Sequence, residues 1–227
     1  MSLLERYRSA KDLPEVIAVF PLRGAILLPR AGMPLNIFEP RYLAMIDAAL
    51  SGARVLGIVQ PEVDEENAPS PLGKAVPLRR VGCVGRITAY QETEDRRLIV
   101  SLSGIARFEV QSEVATEEPF RTCRVSYERF AADFVRGAGE DEIDRTKLLG
   151  VLKAYLEAKE LKADWQAINR SSNEFLVNTL SVICPYGQEE KQALLEAKDL
   201  KSRAEALTAL AQMELASRDD GTGSTLQ

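Results

Sequence analysis

The sequence contains no histidine, and this absence excludes several kinds of active site. Ser-His-Asp and Cys-His nucleophile systems need an imidazole, as does every zinc site with a histidine ligand. The three cysteines, Cys83, Cys123 and Cys184, are widely separated, which also excludes a zinc site built from close cysteine pairs. An odd number of dispersed cysteines is typical of buried, reduced thiols in a cytoplasmic protein rather than of a disulfide scaffold.

Motifs for nucleotide binding and covalent catalysis are missing too. The single Gly-Lys pair, Gly73-Lys74, is followed by alanine and lacks the glycine five residues earlier that a phosphate-binding loop needs. Neither GxGxxG nor GxSxG occurs in the sequence. The densest carboxylate cluster, at residues 62–66, lies in a proline-flanked loop and lacks the glycine spacing of a calcium loop. We therefore predict no enzymatic activity, no cofactor and no metal site.

Long hydrophobic runs are absent as well. No run approaches the roughly 20 residues of a membrane helix, and the N-terminus has no apolar segment of signal-peptide length. The 227 residues suffice for one large domain or two small ones. Residues 1–130 hold 17 basic and 17 acidic residues, so the formal charge of -5 lies in the remainder. These features predict a cytoplasmic protein with no membrane association.

Prolines are concentrated near the N-terminus. They stand at positions 21, 29, 34 and 40, where each removes a backbone donor, so the chain must form brief extended pieces there. We predict these strands at residues 17–20, 26–28 and 35–38. Pro40 suits the first position of a helix, and apolar residues at helical spacing follow it up to Gly52.

Three separated blocks carry a family resemblance. The order of short strands, Pro-Leu pairs, FEPRY and a helix at residues 17–52 resembles the opening of the substrate-binding N-terminal domain of Lon proteases. Residues 81–110, VGCVGRITAYQETEDRRLIVSLSGIARFEV, resemble the β-rich middle of that domain. Residues 181–207, SVICPYGQEEKQALLEAKDLKSRAEAL, resemble its end. The resemblance implies an α+β fold, with a PUA-like β-barrel or sheet followed by a C-terminal helical bundle.

The hydrophobic period changes near residues 131–142. Before this segment, apolar residues alternate with period two, as at residues 98–103, and after it they recur at helical spacing. We therefore predict a PUA-like β-rich domain at residues 14–130 and a helical bundle domain at residues 141–216. Residues 217–227 are predicted to form a disordered tail.

Polar residues predict where two helices of the second part begin. Ser171, followed by Glu174, matches a capping box ahead of an apolar helical run. Asp199 is suited to cap a final helix that extends through Leu215. Between them, residues 188–196 have the pattern of a short helix.

The resemblance implies a non-catalytic protein that binds unfolded or degron-bearing polypeptides. The ATPase module and the Ser-Lys protease module of Lon proteases are absent from this sequence, so we interpret it as a stand-alone copy of the recognition domain. A protease or a chaperone remains open as a further partner. We expect a monomer or a weak dimer.

Short strands interrupted by prolines leave backbone groups at a sheet edge, where a peptide strand can be added. We predict a peptide-binding groove in this region, in which Arg23 and Arg41 would steer acidic groups. The candidate residues are Leu22, Arg23, Leu35, Ile37, Phe38, Glu39, Arg41 and Tyr42. The alternative is that the apolar residues are simply core and that Glu39 and Arg41 pair locally.

Two other functions remain open. The β part of Lon N-terminal domains is similar to the PUA fold, some of whose members bind RNA. The balanced charge of residues 1–130 and an aromatic content of 6% argue against this function, because phosphate contacts dominate such affinity. Nucleic-acid binding is therefore predicted to be weak. The third function is that of a protein adaptor or scaffold that docks a partner through its helical part.

Overall fold

A computed structural model describes residues 6–62, 76–94, 97–160 and 164–222, with side chains up to residue 217. Its strands are β1 (Val16–Pro21), β2 (Gly32–Ile37), β3 (Val55–Pro61), β4 (Leu78–Glu92), β5 (Leu98–Val114) and β6 (Arg121–Ser126). Its α-helices are α1 (Pro40–Ser51), α2 (Arg145–Ala158), α3 (Trp165–Arg170), α4 (Asn173–Ile183), α5 (Gln188–Glu196) and α6 (Leu200–Thr222). Short 3-10 helices lie at Ala10–Asp12, Glu128–Phe134 and Glu140–Glu142. The fold is α+β, as predicted.

The strands form one mixed sheet in the order β2-β5-β4-β3-β1-β6. The pair β1–β3 is parallel and the other pairs are antiparallel. The long strand β5 pairs with β2 through its first half and with β6 through its second half. Within the described residues β2 has β5 as its only neighbour in the sheet. None of the helices that the structure describes has the length and apolar character of a membrane span.

The predicted strand at residues 26–28 is wrong, because this segment is a buried loop. Ile26, Leu27 and Leu28 are almost fully buried, so they pack as core residues without joining a ladder. Pro29 lacks a donor, and Arg30 has a φ of 62°, in the left-handed region that ends an extended run. The loop lies so close to β5 that a Cβ at Gly104 would stand 2.0 Å from the carbonyl oxygen of Leu28.

The helix starts follow local signals closely. α1 begins at Pro40, with Gly52 as its C-cap, and this confirms the prediction. Asp199 accepts a hydrogen bond from Ser202 N at 2.8 Å, which lowers the pKa of its carboxyl and anchors the start of α6. α5 has the predicted bounds.

Two details at the helix ends differ from the prediction. The N-cap of α4 is Ser172 and not Ser171, because the Ser172 hydroxyl accepts the Phe175 N–H while Glu174 binds elsewhere. α6 continues beyond Leu215 to Thr222, since no proline or glycine interrupts the sequence before Gly221. The predicted tail at residues 217–227 therefore begins as helix, and residues 223–227 lie outside the described part.

The core consists of two hydrophobic clusters. The smaller one lies inside the β part, around Phe108, and includes Val19, Val84 and Val125. The larger one joins the sheet to α1 and to the later helices. It contains, among others, Leu27, Ile46, Leu102, Leu152, Leu176, Leu194 and Leu207. One apolar cluster thus contains residues of both predicted domains, and the division into residues 14–130 and 141–216 stays a prediction.

Buried polar contacts also connect the two parts. Arg107 on β5 is 2% exposed, and its guanidinium forms a two-point ion pair with Asp133. The same group donates hydrogen bonds to the carbonyl oxygens of Leu195 and Ala197, where α5 ends. It thereby caps the negative end of that helix. The hydrogen bonds of Arg107 connect β5, the Glu128–Phe134 3-10 helix and α5.

We predict that Asp133→Asn destabilises the protein severely. The substitution leaves the Arg107 charge buried without its anion, which costs about 3–5 kcal/mol. Urea unfolding measures the effect. Glu15→Gln is the control, because the side chains of Glu15 and its partner Arg124 are both more than half exposed, and the loss of this surface pair should cost under about 1 kcal/mol. Equal losses in the two variants would contradict a special role for the buried pair.

A second prediction contrasts two glycines. Gly104→Ala should destabilise by about 1–3 kcal/mol, because the new methyl group meets the backbone of Leu28. Gly150→Ala should stabilise by about 1 kcal/mol, because Gly150 lies within α2 with nothing within 4 Å of the added Cβ. Both values come from urea unfolding. A Gly104→Ala variant as stable as the wild type would show that the close contact at Gly104 is not limiting, and a destabilised Gly150→Ala variant would contradict the helix-propensity argument.

Candidate functional site

The structure separates the predicted site residues into buried and exposed ones. Leu35, Ile37 and Tyr42 are buried in the larger cluster, in agreement with the alternative that they are core residues. On β2, odd positions point inward and even positions outward, as expected of a strand with one buried face. A site at this place must therefore use other side chains of the same segment.

The remaining candidates form two groups, one near the end of β2 and one beside α5. Phe38 is 61% exposed, and the guanidinium of Arg97 lies over its ring at 5.8 Å from the centroid. Arg41 Nε donates to Glu39 Oε2 at 2.9 Å, so these two residues pair locally.

The other two candidates follow β1 rather than β2. Leu22 is half-buried against the larger cluster, and Arg23 Nε donates to Gln188 Oε1 on α5 at 3.2 Å. The structure therefore places Leu22 and Arg23 beside α5, and Phe38 beside the start of β5. The two arginines already have polar partners, which makes them poor anchors for an acidic ligand.

A groove of about 740 Å³ lies between the outer face of the sheet and α4. Neighbouring residues of β2 and β5 form the floor of this groove, because the strand register places Pro34 on β2 opposite Ser101 on β5. The lining residues are Arg30, Gly32, Met33, Pro34, Thr88, Ser101, Leu102, Ser103, Phe175 and Thr179. We call this cavity the β2–α4 groove.

The lining is apolar with neutral hydroxyl groups. Phe175 is 46% exposed and, with Pro34, gives the groove an open apolar surface. The Thr179 hydroxyl is buried without a hydrogen-bond partner among the described residues. Arg30 is the one charged residue among those that line the groove, and it forms an ion pair with Glu174. The groove thus offers apolar contact and hydroxyl groups but no uncompensated charge.

Exposed apolar residues continue the groove along the strands. Ile99, 46% exposed, lies opposite Asn36, two positions beyond the Pro34–Ser101 pair. Phe38 follows at the end of β2, on the side that Pro34 and Asn36 share by alternation. On α4, Ile183 is exposed and follows Phe175 and Thr179 at helical spacing. An apolar strip therefore runs from α4 to the end of β2.

Sequence reasoning found one side of this groove and missed the other. The segment with Pro34 and Phe38 was identified, whereas Ser101 and Phe175 are far away in the chain and became neighbours only through folding. One signal pointed to Phe175, because it stands outside the apolar stripe formed by Leu176, Val177 and Leu180. A large aromatic residue off the buried stripe of a helix is expected at the surface, and it indicates a contact surface only when other exposed apolar residues adjoin it.

The cysteines offer no reactive nucleophile. All three are free and buried. Burial raises the pKa of Cys123 and of Cys184 to about 11, and that of Cys83 further, so the thiols stay protonated at neutral pH. In the described ranges no group of three or more acidic or cysteine side chains is placed to hold a metal ion. Of the carboxylate cluster at residues 62–66, only Glu62 lies within those ranges.

A family model and relatives of similar sequence point to the same protein family. Residues 16–212 match the family model of the ATP-dependent protease La (LON) substrate-binding domain. The chain is 29% identical over 210 residues to the Lon protease of Flavobacterium johnsoniae, with 88% of this chain and 24% of the relative covered. It is 28% identical over 208 residues to the Lon protease of Syntrophus aciditrophicus, with 89% and 26% covered. The chain thus spans about a quarter of the length of these relatives.

Solved structures show the same fold. A Lon N-terminal domain protein from Xanthomonas campestris superposes with a TM-score of 0.58 at 23% identity, covering 86% of this chain and 97% of that one. The N-terminal domain of a Mycobacterium avium complex Lon protease gives a TM-score of 0.61 at 18% identity, covering 87% and 98%. At these identities the likeness concerns the fold.

Proposed function

The chain belongs to the family of the Lon substrate-binding domain, and on this basis we propose that it recognises polypeptide segments through the β2–α4 groove. The observation that carries the proposal is the open apolar lining of that groove beside β2. Among the described strands β2 has only β5 as a neighbour, so it lies at an edge of the sheet. An extended peptide bound there buries apolar side chains against Pro34 and Phe175 and has a strand edge beside it.

The lining also favours one kind of segment. Arg30 is already paired with Glu174, and the other lining residues are neutral. A charged side chain bound in the groove would lose water without gaining an opposite charge, which is costly. We therefore propose apolar, weakly charged segments, such as those exposed in unfolded or degron-bearing proteins. This replaces the acidic preference that Arg23 and Arg41 suggested.

The same lining disfavours nucleic acid as the ligand. Binding to RNA or DNA relies on several lysine or arginine side chains that neutralise phosphates. The groove has only Arg30, and Glu174 neutralises it. We propose instead a non-catalytic cytoplasmic recognition protein, a monomer or weak dimer, that works with a protease or a chaperone. An adaptor that docks a partner through its helices is the alternative.

One substitution in the groove, at Phe175, and one on the apolar strip beyond it, at Phe38, test this proposal. Phe175→Ser and Phe38→Ser should each weaken binding of a fluorescent, uncharged apolar peptide about tenfold, because each removes roughly 1.5 kcal/mol of apolar contact. Phe38 is 61% and Phe175 46% exposed, so the variants should keep a melting temperature close to that of the wild type. Fluorescence anisotropy at low and at moderate salt gives the affinities, which salt should change little.

Met213→Ser is the matched control, because Met213 is 66% exposed on α6 and does not line the groove. It should bind the peptide like the wild type. Unchanged affinity in both the Phe175 and the Phe38 variant, or an equal loss in the Met213 variant, would place the binding surface elsewhere. Tighter binding of RNA than of peptide at moderate salt would contradict the proposed ligand class.

We also predict that the purified chain neither hydrolyses ATP nor cleaves unfolded casein. Its sequence has no phosphate-binding loop, and its buried thiols are protonated at neutral pH. Phosphate release and peptide release, each compared with a mock purification, measure the two activities. Turnover above the mock level that a single substitution in this chain abolishes would show that the chain is an enzyme.

A further inference from the structure

The strand β2 has an open edge, and its backbone groups alternate between that edge and β5. Among the described residues β5 is the only neighbour of β2 in the sheet. In an antiparallel pair, alternate residues direct both their N–H and their C=O group to the partner strand, and the residues between them direct theirs away from it. One known hydrogen bond of the ladder therefore fixes which residues face the open edge.

Two hydrogen bonds identify the residues that face the edge. Gly104 N donates to the Ala31 carbonyl oxygen at 2.9 Å just before β2 begins, so every second residue from Ala31 onward faces β5. Thr88 Oγ1 on β4 donates to the Ser101 carbonyl oxygen at 3.1 Å, which shows that the Ser101 carbonyl faces β4 and not β2. Pro34 is opposite Ser101 and therefore directs its own backbone groups away from β5 as well.

Gly32, Pro34 and Asn36 thus present their backbone groups to the open edge, and all three residues are exposed. Each supplies a carbonyl acceptor, but Pro34 supplies no N–H donor, and a carbon of its ring occupies the place of the missing hydrogen. No residue of β2 is charged, so the edge offers backbone dipoles alone. These dipoles complement an extended, uncharged main chain.

We propose that Pro34 determines how a polypeptide lies in the β2–α4 groove, an inference that rests on the polypeptide recognition proposed above. A bound segment is extended and forms main-chain hydrogen bonds with Gly32 and with Asn36. Every second N–H group of the segment faces β2. One carbonyl group of the segment finds no donor at Pro34, whether the segment runs parallel or antiparallel to β2, because the missing donor belongs to β2.

The incomplete ladder has a consequence for selectivity. A complete edge would accept any exposed strand, including β2 of a second copy, and a proline on an edge strand is one way in which natural sheets prevent this. With the ladder interrupted at Pro34, main-chain bonds orient the segment, and apolar contacts with residues such as Phe175 decide which segment stays bound. Binding at this edge is therefore reversible and selective for apolar side chains.

A scan with N-methylated peptides tests the proposal on the wild-type protein. Each version of a short, fluorescent, uncharged apolar peptide has one N-methyl group, which removes one main-chain donor and leaves every side chain in place. Fluorescence anisotropy at moderate salt gives the Kd of each version. The Kd should rise by at least about threefold when the methyl group is on alternate residues, and it should change less when the group is on the residues between them.

Two substitutions in the protein provide an independent measurement with the unmethylated peptide. Pro34→Val restores the missing N–H and keeps an apolar side chain, so the Kd should fall about threefold. Pro119→Val is the matched control, because Pro119 is an exposed proline in the loop between β5 and β6 and does not line the groove. It should leave the Kd unaltered. If Pro34→Val fails to fold, the N-methyl scan of the wild type decides.

The outcomes separate this inference from the proposed function. An even effect of N-methylation along the peptide would overturn the main-chain pairing, and a Kd in Pro34→Val equal to that of the wild type or of Pro119→Val would overturn the role of Pro34. In both cases a loss of affinity in Phe175→Ser would still support the groove as the binding surface. A wild-type protein that does not bind the peptide would overturn this inference and the proposed function together.

Discussion

The buried guanidinium of Arg107 is the group on which the arrangement of sheet and helices depends. A charge removed from water must have all its donors satisfied by groups in fixed positions, or it destabilises the fold by several kcal/mol. Arg107 meets this condition through Asp133 and the carbonyl oxygens at the end of α5. Because the contact joins β5, the Glu128–Phe134 3-10 helix and α5, it forms only when all three are in place. Apolar packing brings the parts together, and this ion pair fixes how they fit.

The elements that depend on local signals were predictable. Pro40 sets the start of α1, Asp199 the start of α6, and the alternation of apolar residues sets the faces of β2 and β5. The loop at residues 26–31 was not predictable, because its apolar residues look like a strand until the left-handed conformation of Arg30 interrupts it. The N-cap of α4 was displaced by one residue because two serines stand side by side.

The candidate site was found only in part, for a physical reason. Alternation along β2 could have separated Leu35 and Ile37, which point inward, from Pro34 and Phe38 on the outer side. It could not have located Phe175, because no local pattern states which helix face lies over which strand. Likewise the pairing of Arg107 with Asp133 is invisible in the sequence, since each residue alone resembles an ordinary surface charge. The family resemblance supplied the fold but not this geometry.

Arg30 lies in the wall of the β2–α4 groove, and its ion pair with Glu174 has a thermodynamic consequence. Glu174 precedes the groove residue Phe175 on α4 and also accepts the N–H of Gly137 in the segment that connects the sheet to the helices. A ligand that contacts Phe175 in the proposed groove therefore acts on the same turn of α4 that holds this connecting segment. Linkage requires such an effect to be mutual, so the factor by which the ion pair changes the affinity of the groove equals the factor by which a bound ligand changes the stability of the ion pair. Occupancy of the groove and the attachment of the connecting segment to α4 are then two readings of one equilibrium.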